Sequence, residues 1–180
     1  MFEDLVAPIT ELLNQYHQLM SGQVKAEIWE EICAKALVYA GYGSDWTPDF
    51  NHAIGTDQTT NGGIKISNKG GKFSNDLNTL TISGSRLTRF GALDEKIEHI
   101  HNADEDYIFC LATTKPFVST YYFTVIASSD LDYGNATWSE KIGTRGRNEG
   151  NVTGWGGNRQ WIYCINYDLY VGPIVDKYFQ

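Results

Sequence analysis

The stretch GTDQTTNGGIKISNKGG, Gly55 to Gly71, sets two short polar and apolar runs on either side of an Asn-Gly-Gly triplet. Asn-Gly followed by a second glycine is a turn signal, because these residues reach the positive φ values that hairpin loops require. The flanking runs, Thr56 to Thr60 and Ile64 to Lys69, read as two antiparallel strands. The loop length decides which side chains meet. If Asn61-Gly62-Gly63 is the loop, the hairpin is symmetric about Gly62 and Asp57 lies across from Ser67. Alternation then puts Asp57, Lys65, Ser67 and Lys69 on one face and turns Ile64 and Ile66 towards the core. A two-residue loop would instead set Asp57 opposite Ile66.

Two helices precede this hairpin. Apolar residues at Phe2, Leu5, Ile9, Leu12, Leu13, Tyr16 and Met20 form a helical stripe that ends at Ser21-Gly22, with Pro8 acceptable only near the start. In QVKAEIWEEICAKALVYAGYG, Trp29, Ile32, Cys33, Ala36, Leu37 and Ala40 repeat at helical spacing, and Gly41 supplies the stop. After the hairpin come a strand at TLTIS, Thr79 to Ser83, and a short helix at ALDEKIEHIHN. Two buried strands follow, DYIFCLATT and STYYFTVIASS, and the last strand-like run is RQWIYCINYDLYV. Helices, strands, helix and strands in that order predict one α+β domain over residues 1–180, with a central mixed β-sheet flanked by helices. Residues 1–22 are a candidate dimerisation element.

Composition narrows the function classes. The 42% hydrophobic and 20% charged residues are those of a globular chain with a full core. Cys33, Cys110 and Cys164 are odd in number, widely spaced and set in apolar segments, which argues for reduced core thiols over disulfides or a zinc site. The start MFEDLVAPITELL is acidic where a secretory leader needs positive charge, and no apolar run approaches the ~18 residues of a membrane span, so a cytoplasmic protein without a membrane partner is expected. The net charge of −8 argues against nonspecific polyanion binding, but cationic side chains cluster locally. They are Lys65, Lys69 and Lys72, then Arg86 and Arg89, then Arg145, Arg147 and Arg159.

An aspartate, about ten residues, and then a lysine two places beyond an acidic position on the next strand resembles the active-site hairpin of the PD-(D/E)XK nuclease superfamily, which includes many Type II restriction endonucleases. Here the elements are Asp57 and Ser67-Asn68-Lys69. WEEICAKALVYAGY is similar to the first helix of that core, and the likeness extends over roughly residues 24 to 130. The resemblance implies a restriction-endonuclease-like core and Mg²⁺-dependent, sequence-specific hydrolysis of double-stranded DNA by a homodimer, with no nucleotide cofactor. It implies Asp57 as a metal ligand, Lys69 as the group that orients or deprotonates the attacking water, and Glu30 as a further carboxylate, with Glu31 its near alternative. Ser67 stands where the family has an acid and could hold a water; Glu95 or Glu98 of the following helix would supply the displaced carboxylate. Pro48-Asp49 is the alternative match, at a longer gap to Lys69.

The same reading assigns DNA contacts to Lys65, Arg86, Arg89, Arg145, Arg147, Asn148 and Arg159, since arginine clamps phosphate and guanine, and asparagine pairs with adenine. Two other classes remain open at this point. One is a noncatalytic DNA-binding derivative of the same fold. The other is a glycan-binding β-rich module, suggested by 13% aromatic residues and many glycines and asparagines.

Overall fold

A computed structural model of the chain describes residues 2–49, 56–73, 98, 102, 104–114 and 120–129, together with the backbone of 79–86, 130, 160–166 and 173–176. The chain is α+β. A 3-10 turn, Glu3–Leu5, leads into α1 (Val6–Leu19), which is followed by α2 (Ala26–Tyr39). The strands are β1 (Gln58–Thr59), β2 (Lys65–Phe73), β3 (Thr79–Arg86), β4 (Tyr107–Thr113), β5 (Thr120–Ala127), β6 (Gln160–Asn166) and β7 (Pro173–Asp176). They form one mixed sheet of seven strands among the described residues, ordered β6-β3-β2-β4-β5-β7, with β1 paired to β2 off this path. Only β2 and β4 run parallel among these pairs; the rest are antiparallel.

Both helices form where the periodicity predicts. Pro8 falls in the first turn of α1, where its missing N–H has no intrahelical acceptor to lose. At the end of α2, Gly41 adopts φ 84°, Tyr42 N–H donates to Leu37 O (2.9 Å) and Gly41 N–H donates to Val38 O (3.0 Å). That pair of bonds is the Schellman closure, and it needs a left-handed residue that glycine adopts without strain.

The apolar stripe of α1 is consumed by the core. Leu5, Ile9, Leu12 and Leu13 are buried with Trp29, Ile32, Cys33, Ala36 and Leu37 of α2 against Ile66, Phe109, Leu111, Tyr121 and Phe123 of the sheet. Phe2 sits within this cluster, edge-on to Phe109 (5.0 Å) and Tyr107 (5.3 Å). It holds a left-handed backbone, φ 68°, so its burial offsets a local strain. The Tyr121 hydroxyl joins the layers: it accepts Val24 N–H (3.0 Å) and contacts His17 Nε2 (2.9 Å). Burial pushes the Tyr121 phenol up to about 12, so it stays protonated over the ordinary pH range. At the far end of α1, Leu19 and Met20 remain exposed.

The opposite face of β4 is covered too, with Ile108, Cys110 and Ala112 buried. This matches the expectation of a buried strand. The last strand-like run of the sequence, Arg159 to Val171, contains β6, and β7 lies beyond it, with residues 167–172 outside the described set. The helix expected over ALDEKIEHIHN also lies mostly outside it; Glu98 is helical and accepts Asn102 N–H at 3.0 Å.

The loop after α2 fastens the hairpin. Asn61 N–H donates to Tyr42 O (3.0 Å), Asp45 N–H to Thr59 O (3.1 Å), and Thr59 N–H to Asp45 Oδ1 (2.5 Å). Gly43 has φ 72°, and a Cβ there would come within 2.3 Å of the Asn61 side chain. Gly43→Ala is therefore expected to destabilise the fold by about 1–3 kcal/mol. In an Asn61→Ala background the cost should fall towards the left-handed backbone penalty of about 1–2 kcal/mol. Denaturant melts of the four proteins check this, and equal costs in both backgrounds would show that the overlap is not felt.

Candidate active site on the split edge of β2

The hairpin has the register of the three-residue loop. Gln58 pairs with Ile66 and Thr59 with Lys65, while Thr60 N–H donates to Ile64 O and Gly63 N–H to Thr60 O (both 2.9 Å). Asp57 therefore stands beside Ser67, at the point where β1 ends. Strand β3 takes up the same edge of β2 further along, from Gly71 to Phe73. Between the two partners, residues 67–70 have no ladder partner on that edge among the described strands.

The Asp57 carboxylate occupies the start of this gap. Its Oδ2 accepts the Asn68 backbone N–H at 2.5 Å and the Ser67 hydroxyl at 3.2 Å, and Lys69 Nζ lies 3.6 Å from the same oxygen. A side-chain oxygen thus does what a strand carbonyl would do. None of these three contacts uses Oδ1. The Asp57 and Lys69 side chains are only 12% and 17% exposed, so their pairing is screened far less than a surface ion pair.

Alternation along β2 distributes the rest. Ser67 and Lys69 pair with Ile108 and Cys110 of β4, on the face away from α1 and α2, and Ile66 and Asn68 pair with Tyr107 and Phe109 on the helix-covered face. Standing at the strand edge, Asp57 is felt on both faces. Burial pushes the Cys33 thiol of α2 well up, and the negative charges of Asp57 and Glu30 add to the rise. Burial pushes the Cys110 thiol to about 12, with Lys69 pulling the other way. Neither thiol is a nucleophile at neutral pH.

Of the other residues named from the sequence, Glu30 is half-buried on α2, and its charge and that of Asp57 both act on the Cys33 thiol. Glu31 is turned outward to Lys35 (2.5 Å). Glu98 is exposed. Lys65 is ion-paired with Asp104, and its backbone N–H donates to Asp106 Oδ2 (2.8 Å). Arg86 is the last residue of β3, and its side chain is outside the described set. Glu95, Arg89, Arg145, Arg147, Asn148 and Arg159 lie outside the described residues.

One acid near the site had no signal in the sequence. Glu105, half-buried just before β4, has its Oε2 buried without a hydrogen-bond partner among the described residues. Burial holds its carboxyl above the usual value of 4.5; its own backbone amide and Lys69 pull down, while Asp57 and Asp104 push up. Only the electrostatic reach of Lys69 and Asp57 marks it, and that depends on a parallel pairing some forty residues apart in the chain.

The acids here offer oxygen alone: Asp57, whose Oδ1 takes part in none of the three contacts above, and the half-buried Glu30 and Glu105. That chemistry fits a hard divalent cation, which binds one or two carboxylates and fills its shell with water and phosphate oxygen. No group of three His, Cys, Asp or Glu close enough to hold a metal occurs among the described residues, so a full protein cage is not formed by them.

The chain is thus an α+β protein whose mixed sheet carries a shielded carboxylate and lysine at an unpaired strand edge. No protein-family model matches it, and no curated protein is significantly similar to it in sequence. No helix among the described residues is long and apolar enough to cross a membrane.

The raised Glu105 carboxyl makes a signed prediction. A carboxyl raised on folding contributes stability below about 4.5 that is lost as pH rises through the raised value. Glu105→Gln should therefore gain on the native protein in Tm from about pH 4.5 up to the raised value and hold a constant difference above it. A pH-independent difference would show that the carboxyl is not desolvated.

Proposed function

We propose that the protein is a Mg²⁺-dependent nuclease that hydrolyses phosphodiester bonds of double-stranded DNA, in the manner of a Type II restriction endonuclease with a PD-(D/E)XK core. The observation that carries this reading is the Asp57–Lys69 pair on the open edge of β2, with Asp57 Oδ2 fixed by the protein and Oδ1 taking part in none of these contacts.

A divalent cation supplies polarisation of the phosphoryl group and charge neutralisation. Asp57 would hold it, with Glu30 from α2 as the further carboxylate. The Asn68 N–H and the Ser67 hydroxyl keep the Asp57 carboxylate oriented before substrate arrives, so little reorganisation is needed. Lys69, already 3.6 Å from Oδ2, orients the attacking water and offsets charge developing on the phosphate. The resemblance adds a homodimer in the cytoplasm, cutting two strands from symmetry-related sites, with Arg86, Arg89 and the arginines of residues 145–159 on DNA.

A second reading has its own observation. Because Ser67, Asn68 and Lys69 all converge on one Asp57 oxygen, the knot can also close the end of β1 as pure structure, leaving a noncatalytic DNA-binding relative of the fold.

Plasmid DNA incubated with the protein and Mg²⁺ separates the two. Cleavage to discrete bands is expected, with Asp57→Asn and Lys69→Ala each lowering the rate by about 10²-fold or more while DNA retention on a gel persists. Retention without cutting across Mg²⁺ and Mn²⁺ would favour the noncatalytic relative. An Asp57→Asn protein that cuts at the native rate would contradict the assignment.

A further inference from the structure

Asn68 is 6% exposed, yet both its Oδ1 and its Nδ2 are buried without a hydrogen-bond partner among the described residues. An amide buried unpaired costs about 1–3 kcal/mol, and the face it occupies, beside Ile66 and Phe109, would suit an aliphatic side chain. A polar group held at such a cost points to something it binds.

Its position says what. The Asn68 backbone N–H donates to Asp57 Oδ2 in the plane of the sheet, while its side chain leaves β2 on the face that α2 covers. On that face the Cys33 thiol feels both Asp57 and Glu30. The carboxamide therefore enters the layer between β2 and α2, the layer that also holds the Cys33 thiol. Ser67, which stands one residue earlier, points to the other face and is engaged with Asp57.

We propose that the Asn68 side-chain oxygen is a further protein donor to the divalent cation, beside Asp57 and Glu30, in place of the carboxylate that Ser67 lacks. This rests on the nuclease reading and deepens it, since a carboxamide oxygen suits a hard cation as a carboxylate does but brings no charge. The buried amide then finds its missing partner only in the loaded site. Its Nδ2 is left to donate to an anionic oxygen of the same complex, either the Glu30 carboxylate or the phosphate.

Calorimetric titration of the full chain with Mn²⁺, alongside thermal melts without metal, tests this on Asn68→Leu, Asn68→Asp and Asp57→Asn. Asn68→Leu should melt higher than the native protein without metal, because an unpartnered amide is gone, and should bind Mn²⁺ about tenfold or more weakly. Asn68→Asp should melt lower and bind Mn²⁺ more tightly. Mn²⁺ affinity within about twofold of native in both Asn68 variants, with Asp57→Asn still impaired, overturns this inference and leaves the nuclease reading standing. No difference between the native protein and Asp57→Asn overturns both. Should Asn68→Leu fail to fold, Asn68→Asp decides: unchanged affinity overturns the proposal.

Discussion

Everything about the candidate site depends on one substitution of chemistry: a carboxylate oxygen takes the place of a strand carbonyl. Where β1 stops, the Asn68 N–H of β2 would lose its partner, and a buried amide without an acceptor is expensive. Asp57 Oδ2 fills that vacancy at 2.5 Å. The bond fixes the carboxylate at the edge of the sheet, within reach of Ser67 and Lys69 on one face and of the layer beneath α2 on the other. The ion pair with Lys69 and the contact with Ser67 gather on the oxygen that this bond fixes.

The surrounding fold makes that bond possible. Glycine at position 41 closes α2, and the loop behind it pins both Asn61 and Thr59, so the hairpin cannot slip. A slip of one residue would set Ser67 and Lys69 against the helices and bring Ile66 out of the core. Phe109 and Phe123 meet edge-on at 5.4 Å, and Trp29 donates its indole N–H to Phe109 O at 3.2 Å. These contacts seat α2 on the sheet, where the charges of both Glu30 and Asp57 reach the Cys33 thiol.

Much of this was legible from residue order because it is local. The periods of α1 and α2, the stop at Gly41 and the symmetry of the hairpin about Gly62 each depend on neighbours within a few residues. The facing of Asp57 and Lys69 followed from the loop length alone. What could not be read depends on distant pairing. Glu105 acquires its field because β4 lies parallel to β2, and no spacing in the sequence announces that. Asn68 was given no role from the sequence; its side chain stands out only because the fold buries it on the α2 side of β2 without a partner among the described residues. Lys65, assigned to DNA from the sequence, pairs with Asp104 just before β4, a contact that only the fold brings together.

The most direct test of the account is to locate the cation on the protein. Mn²⁺ added to the ¹⁵N-labelled chain broadens the amide resonances nearest to it, and the account predicts that broadening concentrates at Asp57, Ser67, Asn68 and Lys69, with Glu30 across from them on α2. Broadening that leaves these five amides sharp, or that is spread evenly over the acidic surface, would contradict it.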